Sequence, residues 1–156
     1  MKHRLCLVLQ TFLTFCTVCL FQPKGSSAKP SVSDELVAYG FPAGLLPETV
    51  VDYDLQTNGN FNVYLQEVCA ATLRKTYHVT YGSTISGHLE YGAISGLSGI
   101  SVKAFFFNLA ITGIYVSGND LLFEVGFVSA KFPVTNFDES PICQSDFSMF
   151  SPGVTS

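Results

Sequence analysis

The sequence predicts an all-β domain: an antiparallel β-roll, barrel-like sheet or sandwich with one short N-terminal helix. Three observations lead there. From Val50 onward, apolar and polar residues alternate with period two in successive short runs. Turn signals such as Asn58-Gly59 and Gly118-Asn119 separate those runs. The 156 residues are 47% hydrophobic and only 13% charged, with 14 Phe and 7 Tyr, a composition suited to a β-rich core. The length fits one domain, and the charge content is about half that of an average soluble chain.

The N-terminus reads as an address. Lys2 and Arg4 precede a mostly apolar run over residues 5–21, followed by a polar stretch in which Ser26 and Ala28 stand two apart. A basic start, an apolar middle and a small-x-small end make a secretory signal peptide over 1–28. The alternative is an uncleaved N-terminal membrane anchor, for which the run is short and carries Gln10 and several Thr. Cys16 and Cys19 would leave with the leader, so their spacing is no redox or zinc motif. The remaining chain, 29–156, has 5 basic and 12 acidic residues, a net charge of −7, where the whole chain carries −4. That balance excludes an electrostatic nucleic-acid binder. No later run is long enough to span a membrane, so the expected destination is extracellular.

The single domain is expected over 29–143, with a flexible tail at 144–156. Ser33 caps a short helix with Asp34 and Glu35 in its first turn and Gly40 at its end. Pro42 and Pro47 bracket a stiff turn carrying Leu45 and Leu46. Val51, Tyr53 and Leu55 then alternate with Asp52, Asp54 and Gln56. A turn at 58–60 leads to Phe61, Val63 and Leu65, completing a hairpin with its acids on the wet face. Tyr77, Val79 and Tyr81 share one face, as do Ile85, Leu89 and Tyr91. Glycines at 82, 87, 92, 96 and 99 predict turns, bends or bulges. Residues 100–108 and 121–128 are apolar on both faces. Such strands are buried between layers or line a cavity with one face. Cys69 and Cys143 remain after leader removal, and a lone pair in an oxidising compartment reads as one disulfide, with two free buried thiols as the alternative. The bond would close a loop of about 75 residues and contribute about 4 kcal/mol in the loop-entropy model.

The blocks ELVAYGFPAGLLPETVVDYDL, NGNFNVYL, ISGHLEYGAISGLSGISVKAFFFNLAITGIYV and LLFEVGFVSAKFPVTNFDESPIC, in that order, resemble the plant secreted family called domain of unknown function 538. The resemblance spans roughly 34–143. It implies a β-roll or barrel-like fold in the secretory pathway of a plant, and it supports the pairing of Cys69 with Cys143. It also implies kinship with folds that bind apolar ligands, and an esterase-like role, without a settled catalytic motif. The family often has Trp where this chain has Asn108 and an acid where it has Ala104, so a binding surface on that strand would be altered here.

No chemistry-bearing motif is complete. His78 and His88, the two histidines beyond the leader, sit on polar strand faces. Ser95 and Ser98 stand in glycine-rich runs that fall short of Gly-x-Ser-x-Gly. A hydrolase acting on an apolar ester through these residues is the second functional hypothesis. Asp54, Gln56, Asn58 and Gly59 begin like a calcium loop, but its twelfth position is Leu65 rather than Glu. Asp52 and Asp54 stand roughly 7 Å apart by strand rise, on a wet face unsuited to holding one carboxyl protonated. No metal or cofactor is implied. The leading hypothesis is a secreted, non-enzymatic domain that binds an apolar small molecule or lipid. Phe105, Phe107, Leu122 and Val128, the second apolar face of the two-sided strands, are its candidate ligand-facing residues. The competing reading of the cluster Phe105, Phe106, Phe107, Leu121, Phe123 and Phe127 is plain core. A third hypothesis is an extracellular interaction module without a ligand.

Overall fold

The computed structural model describes residues 28–144. The expected leader (except Ala28) and the expected tail from 145 onward lie outside those residues. Among the described residues the fold is all-β with one α-helix, and no helix is long and apolar enough to cross a membrane.

The helix α1 is Val32–Ala38, capped by Ser31 rather than by Ser33. The reason is reciprocity. With Ser31 as cap the third helical residue is Asp34, whose backbone N–H donates to Ser31 Oγ at 3.1 Å while its carboxylate accepts from Ser31 N–H at 3.2 Å. A cap at Ser33 would put Leu36 in that position, with nothing to return. Gly40, at φ +85°, turns the chain out of the helix into a 3₁₀ turn at Ala43–Leu45.

Eight antiparallel strands follow: β1 Val50–Leu55, β2 Asn60–Leu65, β3 Cys69–Leu73, β4 Tyr77–Glu90, β5 Ala93–Ala104, β6 Phe107–Ser117, β7 Asp120–Val125 and β8 Val128–Pro133. They form one sheet in the order β1-β2-β4-β5-β6-β7-β8, with β3 also on β4. The 14-residue β4 is the spine. Its first half pairs with β3 (Val79 opposite Ala71) and its second half with β2 (Ile85 opposite Val63). Register shifts interrupt β4–β5 around Ser86 and β5–β6 between Ile94 and Ser101, and these bulges bend and coil the sheet. Gly99 makes one bend possible. It sits at φ +92°, and a Cβ there would stand 2.3 Å from the carbonyl oxygen of Thr84.

The sheet does not close, and its concave side is covered from within the chain. Leu36, Phe41, Leu45 and Leu46, ahead of β1, and Phe137, after β8, bury against Ile85, Leu89, Ile94, Ile114, Leu121 and Phe123 in one continuous core. The turn at 43–45 fits closely against the 3₁₀ helix Val134–Phe137 and the residues after it. A Cβ on Gly44 would lie 2.3 Å from the backbone carbonyl carbon of Glu139. Cys69 and Cys143 are joined, with their Cα atoms 5.1 Å apart. Cys143 lies well past β8, so the bond ties the start of β3 to the segment after the last strand, not to that strand's end.

Three expectations about the strands are corrected. Neither 100–108 nor 121–128 is one strand: β5 ends at Ala104, which pairs with Phe107 at the start of β6, so Phe105 and Phe106 form a hairpin tip, and β7 ends at Val125, which pairs with Val128 at the start of β8, so Gly126 and Phe127 form another. Val51 is 63% exposed, because a bulge between Val50 and Asp52 takes it out of the alternation that buries Tyr53. Tyr91 is 80% exposed in the turn beyond β4, not on the face of Ile85 and Leu89.

Candidate functional site

Strand alternation aims one set of side chains from each of five strands into a single chamber. Val79 and Tyr81 come from β4, Ile100, Val102 and Ala104 from β5, and Leu109 and Ile111 from β6. Phe123 and Val125 from β7, Ala130 and Phe132 from β8, and Leu45 and Phe137 from the covering segments join them, with Leu73, Tyr77 and Ile114. Within each strand these positions differ by two, apart from Ile114 beyond the register shift after Ile111, so a pleated backbone directs them to the same side. The chamber has a volume of about 480 Å³ and is open to solvent. One wall is aromatic: Phe132 meets Tyr77 edge-on at 5.1 Å between ring centres and Phe123 at 5.8 Å, and Phe123 lies 5.3 Å from Phe137.

Polarity in the lining comes mainly from Arg74, Thr76, Lys103 and Asn136. The Arg74 guanidinium donates to the side-chain oxygen of Asn136, which fastens the β3–β4 turn to the helix at 134–137. Tyr81 is different. It is 3% exposed and lines the chamber, and burial alone, with no charge or hydrogen bond contributing, pushes its phenol up from the ordinary tyrosine range. A second, apolar hollow of about 40 Å³ lies between α1 and strands β1, β2, β4, β5 and β6, room for little more than one water. There Tyr53 donates its hydroxyl to the carbonyl of Pro30 at 2.8 Å.

The sequence candidates are placed unevenly. Phe105 and Val128 sit at the edge of the chamber. Phe107 and Leu122 are not part of its lining. Phe107 pairs with Ala104 and shares the parity of Leu109 and Ile111, but it stands at the exposed hairpin tip beyond the lining, and Leu122 points away from the face of Leu121, Phe123 and Val125. Phe105, Phe106 and Phe127, read as one apolar cluster with Leu121 and Phe123, are exposed tips, whereas Leu121 is fully buried. Sequence reasoning missed Tyr81, Val102, Ile111 and Phe132 as chamber residues. Alternation marked several of them as inward, but it does not separate inward against core from inward against space.

The residues of the hydrolase hypothesis lie elsewhere. His88 is directly opposite Ser95 across β4–β5. Its ring nitrogens, however, engage Asn60 Oδ1 at 3.0 Å and Glu90 Oε1 at 3.3 Å. The His78 ring meets Thr72 Oγ1 at 3.0 Å, and Ser98 is exposed on β5. None of the four residues lines the chamber. Asp52 is exposed and ion-paired with Lys29 at 2.7 Å, and that hydrogen bond holds its carboxyl below the ordinary range. Asp54 accepts from the Tyr64 hydroxyl at 3.1 Å. The calcium-like run is a hairpin turn, in which Asn60 N–H donates to Asn58 Oδ1 at 3.0 Å.

A coiled, open antiparallel sheet with its own N-terminal cover and an apolar chamber defines the class. Residues 32–138 match the family described as "Protein of unknown function, DUF538", and the chain belongs to that family. It is similar to an uncharacterized protein of Arabidopsis thaliana, with 23% identity over 109 residues covering 69% of this chain. The chain spans 63% of that relative's length. No solved structure matches it.

Proposed function

We propose that this domain is a non-enzymatic binder of an apolar small molecule or lipid, held in the chamber between β4–β8 and Phe137. The observation that carries the reading is the chamber itself. Its volume of about 480 Å³ falls within the range of small-molecule sites, and its lining is largely aliphatic and aromatic, with Tyr81 a buried phenol and Tyr77 a second, more exposed one. Apolar surface lining a solvent-open chamber is hydrated, and a ligand that covers it gains the free energy of removing that surface from water. The Tyr81 hydroxyl gives such a ligand one hydrogen-bond donor, which favours an apolar body carrying a single acceptor oxygen.

Extraction of the purified native protein followed by mass spectrometry is expected to release a lipid or other apolar compound. An apolar fluorescent probe is expected to bind the stripped protein, and Ala130→Phe, which fills the chamber from β8, to abolish that binding. A protein that yields no ligand and ignores such probes would end the proposal. Export belongs to the same reading: a disulfide between Cys69 and Cys143 suits an oxidising compartment. N-terminal sequencing of the protein recovered from its native source is expected to begin at Lys29, within a few residues.

A further inference from the structure

The most exposed phenylalanines of the described chain all lie at hairpin tips. Phe105 and Phe106 are each 94% exposed and Phe107 69% at the β5–β6 tip, and Phe127 is 109% exposed at the β7–β8 tip. Phe105 is also held at φ +53°, a conformation suited to Gly or Asn that costs folding free energy in a bulky residue. A side chain this exposed that strains its own backbone contributes little to the fold.

Charge is arranged around the same place. The described chain has five basic residues, and three of them, Arg74, Lys75 and Lys103, belong to the β3–β4 turn and the end of β5. The other two are paired elsewhere, Lys29 with Asp52 and Lys131 with Asp120. No acidic residue occurs in segments 73–77, 103–108 or 125–129. The nearest along the chain, Glu124, accepts from the Tyr115 hydroxyl at 3.3 Å. Arg74, Lys103, Phe105 and Val128 all border the chamber. On a chain with an excess of acids, this one end is basic, aromatic and open to the apolar interior.

From this arrangement we infer that the β5–β6 and β7–β8 tips dock the protein on an anionic lipid bilayer, the phenylalanines entering the headgroup–acyl boundary and the basic residues meeting the headgroups. Phe105 and Phe106 enter deepest. The β7–β8 tip is set back, because Val125 pairs with Ile111 rather than with Phe107. Docking turns the chamber toward the membrane, and it stands whether or not the chamber carries a ligand.

The absence of tryptophan from the chain gives a clean test. The full chain carrying Phe106→Trp is mixed with phosphatidylcholine–phosphatidylserine vesicles containing brominated acyl chains, in parallel with Tyr91→Trp at the opposite end of β4. The Phe106→Trp emission is expected to shift to the blue and be quenched, and that of Tyr91→Trp to stay unchanged. Arg74→Gln, Lys75→Gln and Lys103→Gln are each expected to weaken the anionic-vesicle affinity by about fivefold. Phe105→Asn, scored by vesicle titration, is expected to weaken it by about tenfold while thermal stability holds or rises. Adding Ala130→Phe should leave the quenching intact, which separates this inference from ligand binding. An unshifted Phe106→Trp spectrum would overturn it. So would equal quenching of both reporters, which would mean attachment through another part of the chain, residues 5–21 included. A blue shift that grows with protein concentration and needs no vesicles would assign the tips to a second copy of the chain instead.

Discussion

At the scale of single residues, the chamber's chemistry rests on Tyr81. Its hydroxyl is desolvated and has no charged neighbour, so its phenol ionises at higher pH than an ordinary tyrosine. In a spectrophotometric titration Tyr81 is expected to be the last tyrosine to ionise, after Tyr53, Tyr64 and Tyr115, whose phenols are also raised, and Tyr81→Phe to remove that last step. The same variant should weaken a ligand bearing an acceptor oxygen by about 1 kcal/mol and leave a pure hydrocarbon probe untouched. Leu121, with 0% exposure, is a packing residue by contrast, and Leu121→Ala should cost about 2–5 kcal/mol in denaturant unfolding. Acid acts through Asp34 and Asp52, whose carboxyls are lowered by hydrogen bonds, chiefly from Ser31 and Lys29 respectively. A lowered carboxyl stabilises the fold above its unfolded pKa, and that contribution disappears as the pH falls through its folded value. The thermal midpoint should therefore drop on acidification below about pH 4, and Ser31→Ala with Lys29→Gln should flatten that limb. Ser31 itself shows what was hidden in the residues. Two serines could cap α1, and the choice between them depended on which one Asp34 could answer.

At the scale of elements, legibility followed turn chemistry. The hairpins at Asn58-Gly59 and Gly118-Asn119 were readable because their turn residues are those that tolerate positive φ. The hairpin at Phe105-Phe106 was not, because a phenylalanine occupies the left-handed position and the apolar pattern runs on through it. The β3–β4 turn likewise places Arg74 and Lys75 at φ +51° and +59°. The bulges were readable only as glycine positions. Gly99→Ala should destabilise by more than the roughly 1–3 kcal/mol of ordinary overpacking, since a Cβ there meets backbone, at a positive φ. Circular dichroism melts of that variant against Gly118→Ala, where a Cβ meets no neighbour, separate the close approach from the dihedral.

For the whole molecule, composition and period two disclosed an all-β fold with one helix, but not whether its interior is filled. A residue facing a hydrophobic core and one facing an apolar hollow are chosen by the same chemistry, so Ile111 and Ile114 look alike in sequence although only Ile111 belongs wholly to the open end. What distinguishes them is how far the covering segments reach, and that is set by the close approach of Gly44 to the backbone of Phe137 and Glu139. A ligand in the chamber should raise the unfolding free energy by about 2.7 kcal/mol at a hundredfold excess over its dissociation constant. Ala130→Phe should forfeit that gain while folding on its own.

The bond between Cys69 and Cys143 carries a further consequence. It joins residues 74 apart in sequence and encloses every strand from β4 to β8. A protease that severs any exposed loop within that circuit, at Phe105 or Phe127 for instance, cannot release either fragment. The nicked molecule should migrate as one species with either a denaturant or a reductant alone, and its pieces, still interleaved in the sheet, should come apart only under denaturing and reducing conditions together.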